Sequence, residues 1–274
     1  MTLELTKELS EILGMFAADG SLQDEHICIW GNIYEDKEYY DEVVCKLFSK
    51  VFNKEVKSHE KKSNSVYGFY ICDKKIIQIF KDFGFSRNKT YTVSVPKQVM
   101  ESNDNEIIAA FIRGFADCDG CLNFVKRYEK SYIKFKRDFH TCPRIYIGSV
   151  SGRVIEDISH LLTKLKLNHS KHLSKKSKSN EKDAHIVAIR GKERLNAWNK
   201  LVGFNNHAKI TKYVIWKKFG FCPSYTSMEQ RKLIISGKLN PLSFYPTDRS
   251  VTGPTGFEPA TSSLLPVKPD RRFA

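Results

Sequence analysis

Apolar and polar positions follow two different periods along this chain. Helical spacing is clearest at Ile155, Ile158, Leu162 and Leu165, where apolar residues recur every three or four positions. Strand-like alternation is clearest in Arg144-Ile-Tyr-Ile-Gly-Ser-Val150. The patterns predict helices over residues 37–52, 73–83, 151–167, 192–202 and 228–236. They predict strands over residues 26–33, 54–58, 65–72, 122–136, 144–150, 169–173 and 184–189. The chain therefore belongs to the α+β class.

A nine-residue pattern occurs twice, each time at the end of a helix-like segment. Residues 12–20 read Ile-Leu-Gly-Met-Phe-Ala-Ala-Asp-Gly, and residues 112–120 read Ile-Arg-Gly-Phe-Ala-Asp-Cys-Asp-Gly. Their aspartates, Asp19 and Asp119, lie 100 positions apart. Each copy is followed by the order two strands, helix, two strands, helix, and each closes in a similar turn, at residues 84–89 and 203–209. A duplicated half-domain explains these matches better than chance does.

The repeat predicts how the chain is divided. We expect a first half-domain over residues 1–100, a second over residues 101–225 and a C-terminal extension over residues 226–274. Six prolines between Pro241 and Pro269 argue against regular structure near the end, so we expect disorder from about residue 240. Truncation after Asn240 should then leave the fold intact.

Composition restricts the class of protein. The chain has 274 residues, of which 41% are apolar, which is too many for a disordered protein. No apolar run reaches the roughly 18 residues of a membrane span, so a soluble, intracellular protein of the cytoplasm, nucleoid or an organelle is expected. Seven scattered cysteines, an odd number, favour reduced thiols over a secreted disulfide framework.

The positive charge is concentrated in the second half of the chain. Residues 1–120 carry 15 basic and 20 acidic side chains, whereas residues 121–220 carry 23 basic and 7 acidic ones. A polyanion, most commonly nucleic acid, is the usual partner of such a block. The alternative is a basic surface that only maintains solubility.

The two motifs have a chemical logic of their own. Gly14 and Gly114 lie in mid-helix, where glycine is unfavourable unless two helices approach closely. The Asp-Gly pairs stop the helices, and we expect left-handed glycine caps at Gly20 and Gly120. An isolated Asp-Gly is an ordinary helix stop, but two copies in matching contexts favour a shared site. Carboxylates at the negative ends of two paired helices can hold a divalent metal, which beside a basic surface suggests phosphodiester hydrolysis.

These motifs, their spacing and the order of elements resemble the LAGLIDADG homing endonucleases, in the single-chain form with two motifs. The resemblance covers roughly residues 5–220 and implies a duplicated αββαββα fold with pseudo-twofold symmetry. In that fold the motif helices form the interface, and two β-sheets form a saddle over DNA. The implied function is that of a monomeric, intron-encoded, site-specific double-strand DNA endonuclease with a long recognition site. The implied cofactor is Mg²⁺ or Mn²⁺.

The resemblance also assigns residues. It implies Asp19 and Asp119 as catalytic, metal-binding acids, with Gly20 and Gly120 beside them at the metal, and Gly14 and Gly114 at the helix interface. The earlier acid position is variable in the family and is Ala17 in one copy and Asp117 in the other. Lys89 and Lys209 occupy the turn from which the family places basic residues near the scissile phosphates. Either lysine could instead be an ordinary surface residue.

In the family, the first strands of each half lie in the major groove, where basic and amide side chains read base edges. The stretch 123–137 alternates basic and aromatic residues and suits that role, although a polar outer face of a packed sheet would look similar. The expected DNA-binding residues are Lys126, Arg127, Lys130, Lys134, Lys136, Arg137 and Arg144. The corresponding first-half stretch is short and contains Asp24 and Glu25, so we expect asymmetric DNA contact.

Several alternatives remain open at the level of sequence. Cys118 and Cys121 have the spacing of a zinc knuckle, but no second cysteine pair follows at a suitable distance. His207 beside Lys209 could assist contact with phosphate. The same fold could also serve as an intron RNA maturase, with host intron RNA as partner, or as a non-cleaving DNA-binding regulator.

Overall fold

The protein is described by a computed structural model that covers residues 3–61, 65–127, 137–175 and 182–245. These residues form two four-stranded antiparallel sheets, one in each half of the chain, together with the helices that cover them. The architecture confirms the expected α+β fold built from duplicated αββαββα halves.

The first half begins with helix α1 (Lys7–Asp19), which leads directly into the short strand β1 (Gly20–Leu22). The next elements are β2 (Ile27–Asn32), α2 (Ile33–Tyr39), a π-helical turn (Tyr40–Val44), α3 (Cys45–Phe52), β3 (His59–Lys61) and β4 (Val66–Ile71). Then follow α4 (Lys74–Asp82), a 3₁₀ turn (Lys89–Tyr91) and α5 (Lys97–Glu101). The strands lie in the order β1-β2-β4-β3.

The second half repeats this plan and adds to it. It contains α6 (Asn105–Asp119), β5 (Gly120–Arg127), β6 (Arg137–Ser149), α7 (Gly152–Lys164), β7 (Ser170–Ser174), β8 (Ala184–Arg190) and α8 (Lys192–Leu201). The sheet order is β5-β6-β8-β7, the same as in the first half. Beyond α8 lie α9 (His207–Phe219), α10 (Met228–Ile235) and a 3₁₀ turn (Pro241–Phe244).

The two motif helices pack against each other through their main chains. A Cβ atom on Gly14 would lie 2.1 Å from the main-chain oxygen of Phe111, and one on Gly114 would lie 2.1 Å from that of Glu11. Apolar residues on both helices are fully buried around this contact, among them Ile12, Phe16, Ile112 and Phe115. The ends of α1 and α6 are therefore fixed relative to each other.

The glycines that follow the motif helices correct one expectation. Gly20 has φ −73° and ψ 150°, and Gly120 has φ −90° and ψ 153°, so both are extended and not left-handed. Glycine is needed there for space: a Cβ on Gly20 would lie 2.3 Å from Phe16, and one on Gly120 would lie 2.3 Å from the main-chain oxygen of Ala116. Each helix can therefore turn directly into the first strand of its sheet.

Some element bounds also differ from the prediction. The sequence patterns missed β1, α5 and α9, and β5 (Gly120–Arg127) covers the described part of the strand predicted at residues 122–136. The part of that stretch at residues 128–136 lies outside the described residues. β6 begins at Arg137, before its predicted start at residue 144.

The chain remains structured up to Tyr245. The Tyr245 ring lies 4.9 Å from that of Phe139, and its hydroxyl accepts a hydrogen bond from the main-chain N–H of His140 at 3.3 Å. Truncation after Asn240 would remove these contacts, so the expected boundary at about residue 240 must be moved to Tyr245. The rest of the predicted disordered tail, residues 246–274, lies outside the described residues. No helix in the part of the chain that the structure describes is long and apolar enough to cross a membrane.

Candidate active site

The two motif carboxylates meet at one cleft. Asp19 is the last residue of α1, and Asp119 is the last residue of α6. Both line a cleft of about 730 Å³, together with Lys89 of the first half and Lys182 of the second. Each carboxylate lies at a helix C-terminus, where the helix dipole is negative and no basic residue occupies the last turn. The cleft therefore concentrates negative charge that favours a cation.

The environment makes Asp19 hard to ionise. Burial is the largest cause, followed by the negative charges of Asp119 and Asp36, and together they raise the pKa of Asp19 to about 7. Lys209 acts in the opposite direction. A proton or a metal ion on Asp19 relieves this repulsion at neutral pH.

The environment also disfavours the charged form of Asp119. Its side chain is exposed at the mouth of the cleft, but protein atoms surround its other sides, and this burial raises the pKa of the carboxyl. Lys89 is the stronger of two cations that oppose the rise, and Lys209 is the weaker.

The two turn lysines occupy matching buried positions. Lys89 Nζ donates to the main-chain oxygens of Ala17 at 2.7 Å and Ala18 at 3.3 Å, and Lys209 Nζ donates to that of Asp117 at 2.6 Å. Both are less than a tenth exposed, so neither is the ordinary surface lysine that the sequence left open. Each neutralises the carbonyl end of its own motif helix beside the cleft. Burial lowers the pKa of Lys89 to about 8, although Asp119 and Asp19 favour its charged form.

The earlier acid position differs between the two halves. Asp117 is 1% exposed, and its Oδ2 accepts hydrogen bonds from the main-chain N–H groups of Asn205 at 2.7 Å and Asn206 at 3.2 Å. Burial raises the pKa of Asp117 to about 7, against the effects of Lys209 and these N–H groups. Ala17, at the same position of α1, offers no such acceptor, and the carboxylate that contacts the first lysine turn is instead Asp24, which pairs with Arg87.

Side chains from both halves meet behind Lys209 in a network that sequence reasoning did not find. Asn206 Nδ2 donates to Asp36 Oδ1 of the first half at 2.8 Å and to the main-chain oxygen of Asp117 at 3.0 Å. Asn205 Nδ2 donates to Glu11 Oε1 at 2.6 Å, and Glu11 also pairs with Arg113. The available signal was the Asn205-Asn206 pair in the second turn, where the first turn has Arg87-Asn88. Their first-half partners are 170 or more positions away, so no local pattern indicates the contacts.

His207 contacts two acids of the first half. Its Nε2 lies 3.3 Å from Glu42 Oε2 and 3.9 Å from Glu38 Oε1, and the suggested contact with phosphate stays a prediction. Among the described residues, the ligand atoms of these three side chains all lie within 4.8 Å of one another, as a metal site would require. Lys232 also contacts Glu38, so this carboxylate already has a cationic partner that joins the two halves.

The outward face of the second sheet carries basic side chains. Arg144 is paired in register with Arg190 on the neighbouring strand, and Arg144 Nη1 donates to the hydroxyl of Tyr146 at 3.3 Å. The Arg190 guanidinium lies 5.7 Å from the centre of the Tyr146 ring. Arg144 and Tyr146 alternate along β6 with buried Ile145 and Ile147, and Arg190 lies beside Arg144 on the neighbouring strand. All three residues therefore belong to the face opposite the core.

The other predicted DNA-binding residues can be placed only in part. Lys126 is half-buried at the end of β5. Arg127 and Arg137 face each other in the register of β5 and β6. Lys130, Lys134 and Lys136 lie outside the described residues.

The equivalent face of the first sheet is aromatic. The Trp30 ring lies 5.1 Å from that of His59, and the His59 ring lies 5.6 Å from that of exposed Tyr70. Lys61 Nζ lies 5.9 Å from the centre of the Trp30 ring. The two sheets therefore offer different side-chain chemistry on matching faces.

Comparison with protein families gives a match in the second half. The family model described as a LAGLIDADG-like domain matches residues 106–203, which run from α6 to the end of α8. Among solved structures, the I-LtrWI LAGLIDADG homing endonuclease bound to target DNA is similar, with a TM-score of 0.53 and 12% sequence identity. The similarity covers 79% of this chain and 90% of that protein, and at this identity it concerns the fold.

Two curated proteins are also similar over part of their length. A protein of the A-type ATP synthase of Pyrococcus abyssi is 30% identical over 117 residues, which are 42% of this chain. Glutamine–fructose-6-phosphate aminotransferase of Methanocaldococcus jannaschii is 26% identical over 208 residues, which are 76% of this chain. The chain spans only 11% and 17% of these two relatives, so the activities in their names belong to those proteins.

Proposed function

This chain belongs to the LAGLIDADG family, in the form that carries two motifs on one chain, and we propose that it is a site-specific double-strand DNA endonuclease. The observation that supports this most directly is the meeting of Asp19 and Asp119 at one cleft, at the ends of two helices in main-chain contact. A protein that only binds nucleic acid has no need of two carboxylates beside phosphates.

The residues at the cleft fit a divalent cation. Carboxylates are the ligands that Mg²⁺ and Mn²⁺ prefer, and the main-chain carbonyls of Gly20 and Gly120 follow them directly in the chain. Burial, followed by the charges of Asp119 and Asp36, raises the pKa of Asp19, and a bound cation would offset these effects. When bound, such an ion supplies activation of water and stabilises charge on the phosphate.

The protein's own residues would then hold the phosphodiester in place. Asp19 and Asp119 would hold the cation at the cleft. Lys89 and Lys209, which now donate to helix carbonyls, are placed to turn toward the phosphate charge that develops during cleavage. Lys209 opposes the pKa rise of both aspartates, and both aspartates favour the charged form of Lys89. We therefore assign the two lysines and the two aspartates to the scissile phosphates as one group.

The two sheets of one protein chain would hold the DNA duplex, without a second copy of the protein. Arg144 and Arg190 suit the base edges of the major groove, and Lys126 and Lys182 suit the backbone. Binding should weaken steeply as salt increases, because cations released from DNA drive the association.

Cleavage of a plasmid library with randomised inserts, in Mg²⁺, tests the proposal. We expect the wild-type chain to linearise a small set of related sites, and we expect both Asp19→Asn and Asp119→Asn to lose cleavage while they retain DNA binding. Asp82→Asn, an exposed acid at the end of α4, is the matched control and should cut normally. Binding of DNA by the wild type without cleavage in Mg²⁺ or Mn²⁺ would replace the endonuclease by a regulator of the same fold.

A further inference from the structure

Asn206 belongs to the second lysine turn, residues 203–209, and lies at a point where side chains of both halves of the molecule meet. It is 1% exposed and is the N-cap of α9, where its Oδ1 accepts from the main-chain N–H of Ala208 at 2.8 Å. Both N–H groups of its amide are also used, one toward Asp36 and one toward the carbonyl of Asp117. Every polar atom of this side chain is therefore engaged, and each partner belongs to a different segment.

Two of these partners act directly on the cleft. The carbonyl of Asp117 that accepts from Asn206 also accepts from Lys209 Nζ, so one oxygen fixes both side chains. Asp36 is one of the negative charges that act on Asp19. Its Oδ2 accepts from the main-chain N–H of Asn32, and its Oδ1 accepts from Asn206. Asn206 thus binds Asp36, an anion that acts on Asp19, and shares its acceptor with Lys209, a cation that also acts on Asp19.

The first half has no equivalent of this arrangement. Asn88 precedes Lys89 in the corresponding turn, but its backbone is left-handed, with φ 57°, and its side chain does not cap the following turn. Ala17 replaces the carboxylate of Asp117, and Lys89 binds two main-chain oxygens without an intervening amide. The two lysine turns are therefore held by different chemistry.

The geometry points to Asn206 as a positioning residue that holds Lys209 and Asp36 around Asp19. Asn206 therefore contributes more to the cleavage of one DNA strand than to the cleavage of the other. The predicted strand selectivity rests on the proposed endonuclease function. The predicted effect of Asn206 on Lys209 rests on the contacts alone. Loss of the Asn206 amide should let the Asp117 carbonyl and the start of α9 shift, and so change the surroundings of Lys209, while it leaves Lys89 in place.

The variant Asn206→Asp isolates the role of the amide. It keeps the size of the side chain and the oxygen that caps α9, but it removes both N–H donors and places a negative charge beside Asp36. Asn240→Asp is the matched control, because Asn240 also caps a helical turn through its Oδ1, at 3.0 Å from the N–H of Leu242, on an exposed surface. The double variant Asp36→Asn with Asn206→Asp exchanges donor and acceptor and should restore the bond between the halves.

Two measurements on the full chain test the inference. In the first, lysines are methylated reductively and analysed by mass spectrometry without DNA. The rate of methylation of Lys209 should change several-fold in Asn206→Asp relative to the wild type, while that of Lys89 is unchanged and that of the double variant returns toward the wild-type value. Equal protection of Lys209 in all variants would overturn the positioning role, whether or not the protein is a nuclease.

In the second measurement, a duplex with a different label on each strand is cut by each variant. Misplacement of a reacting group by about 1 Å can cost roughly a hundredfold in rate. We therefore expect one strand to be nicked about 10- to 100-fold more slowly by Asn206→Asp, while the other changes by less than about threefold. The double variant should recover part of the loss. Equal slowing of both strands with a lower Tm would show a merely structural role and would overturn the strand selectivity.

Discussion

Asp19 occupies an unfavourable position for an acidic residue, because it closes a helix, is partly buried and faces a second carboxylate. A pKa raised to about 7 means that the folded apo protein binds a proton there more tightly than the unfolded chain does. This contribution to stability is complete below the ordinary pKa of an aspartate and is lost as the pH rises through about 7. Repulsion in the cleft is therefore greatest above neutral pH.

Metal binding should follow the opposite trend, because a cation must displace the proton from Asp19. We expect Mg²⁺ to raise the Tm only slightly at about pH 6 and clearly more at about pH 8. In Asp19→Asn the Mg²⁺-dependent shift should be small at both values, because the titrating ligand is gone. Thermal unfolding with and without Mg²⁺ measures this. A shift in the wild type that does not depend on pH would contradict the assignment of Asp19 as a ligand.

At the scale of elements, the contact between α1 and α6 depends on two glycines. In an exposed helix, Gly→Ala should stabilise the protein by about 1 kcal/mol through helix propensity. Here the added methyl group would lie 2.1 Å from a main-chain oxygen of the partner helix, so the helices must separate. The sign of the effect is therefore reversed by packing.

We expect Gly14→Ala and Gly114→Ala each to lower the free energy of unfolding by about 1–3 kcal/mol, and Gly14→Leu to lower it further. Gly148→Ala is the control, because a Cβ there would have no neighbour closer than 3.7 Å. Chemical denaturation monitored by circular dichroism gives these values. If Gly14→Ala were as stable as the wild type, the two main chains would not be in the contact described.

The elements that sequence patterns predicted are those whose buried faces are apolar. The duplicated motif and α7 belong to this group, and their periodicity was sufficient. Helix α9 was missed because its buried side includes Lys209 and Thr211 beside Ala208, Ile215 and Trp216. A helix whose buried positions are charged shows no apolar stripe. Asp19 and Asp119 were found because they repeat, whereas Asp36 and Asn206 come together only through the fold.

At the scale of the whole molecule, the two halves share a fold but present different surfaces to a ligand. The second half holds most of the net positive charge, and its sheet carries the adjacent Arg144 and Arg190. Residues 1–120, which contain the first half and helix α6, have a net negative charge, and the matching face of the first sheet carries Trp30, His59 and Tyr70. If the sheets bind the two halves of one DNA site, the halves of that site should contribute unequally.

Arginine forms paired hydrogen bonds with guanine in the major groove, worth about 1–3 kcal/mol of discrimination against other bases. We therefore expect Arg190→Gln to relax the preference at one base pair by this amount, and Arg144→Gln to do so at a neighbouring pair. Lys61→Gln, on the aromatic first-half face, should instead weaken binding similarly for all sequences and reduce the slope of log affinity against log salt by about 1. Dissociation constants for the selected site and its single-base variants, measured at several salt concentrations, separate the two effects. Uniform losses for Arg144→Gln and Arg190→Gln would show that these arginines contact the phosphate backbone and do not read bases.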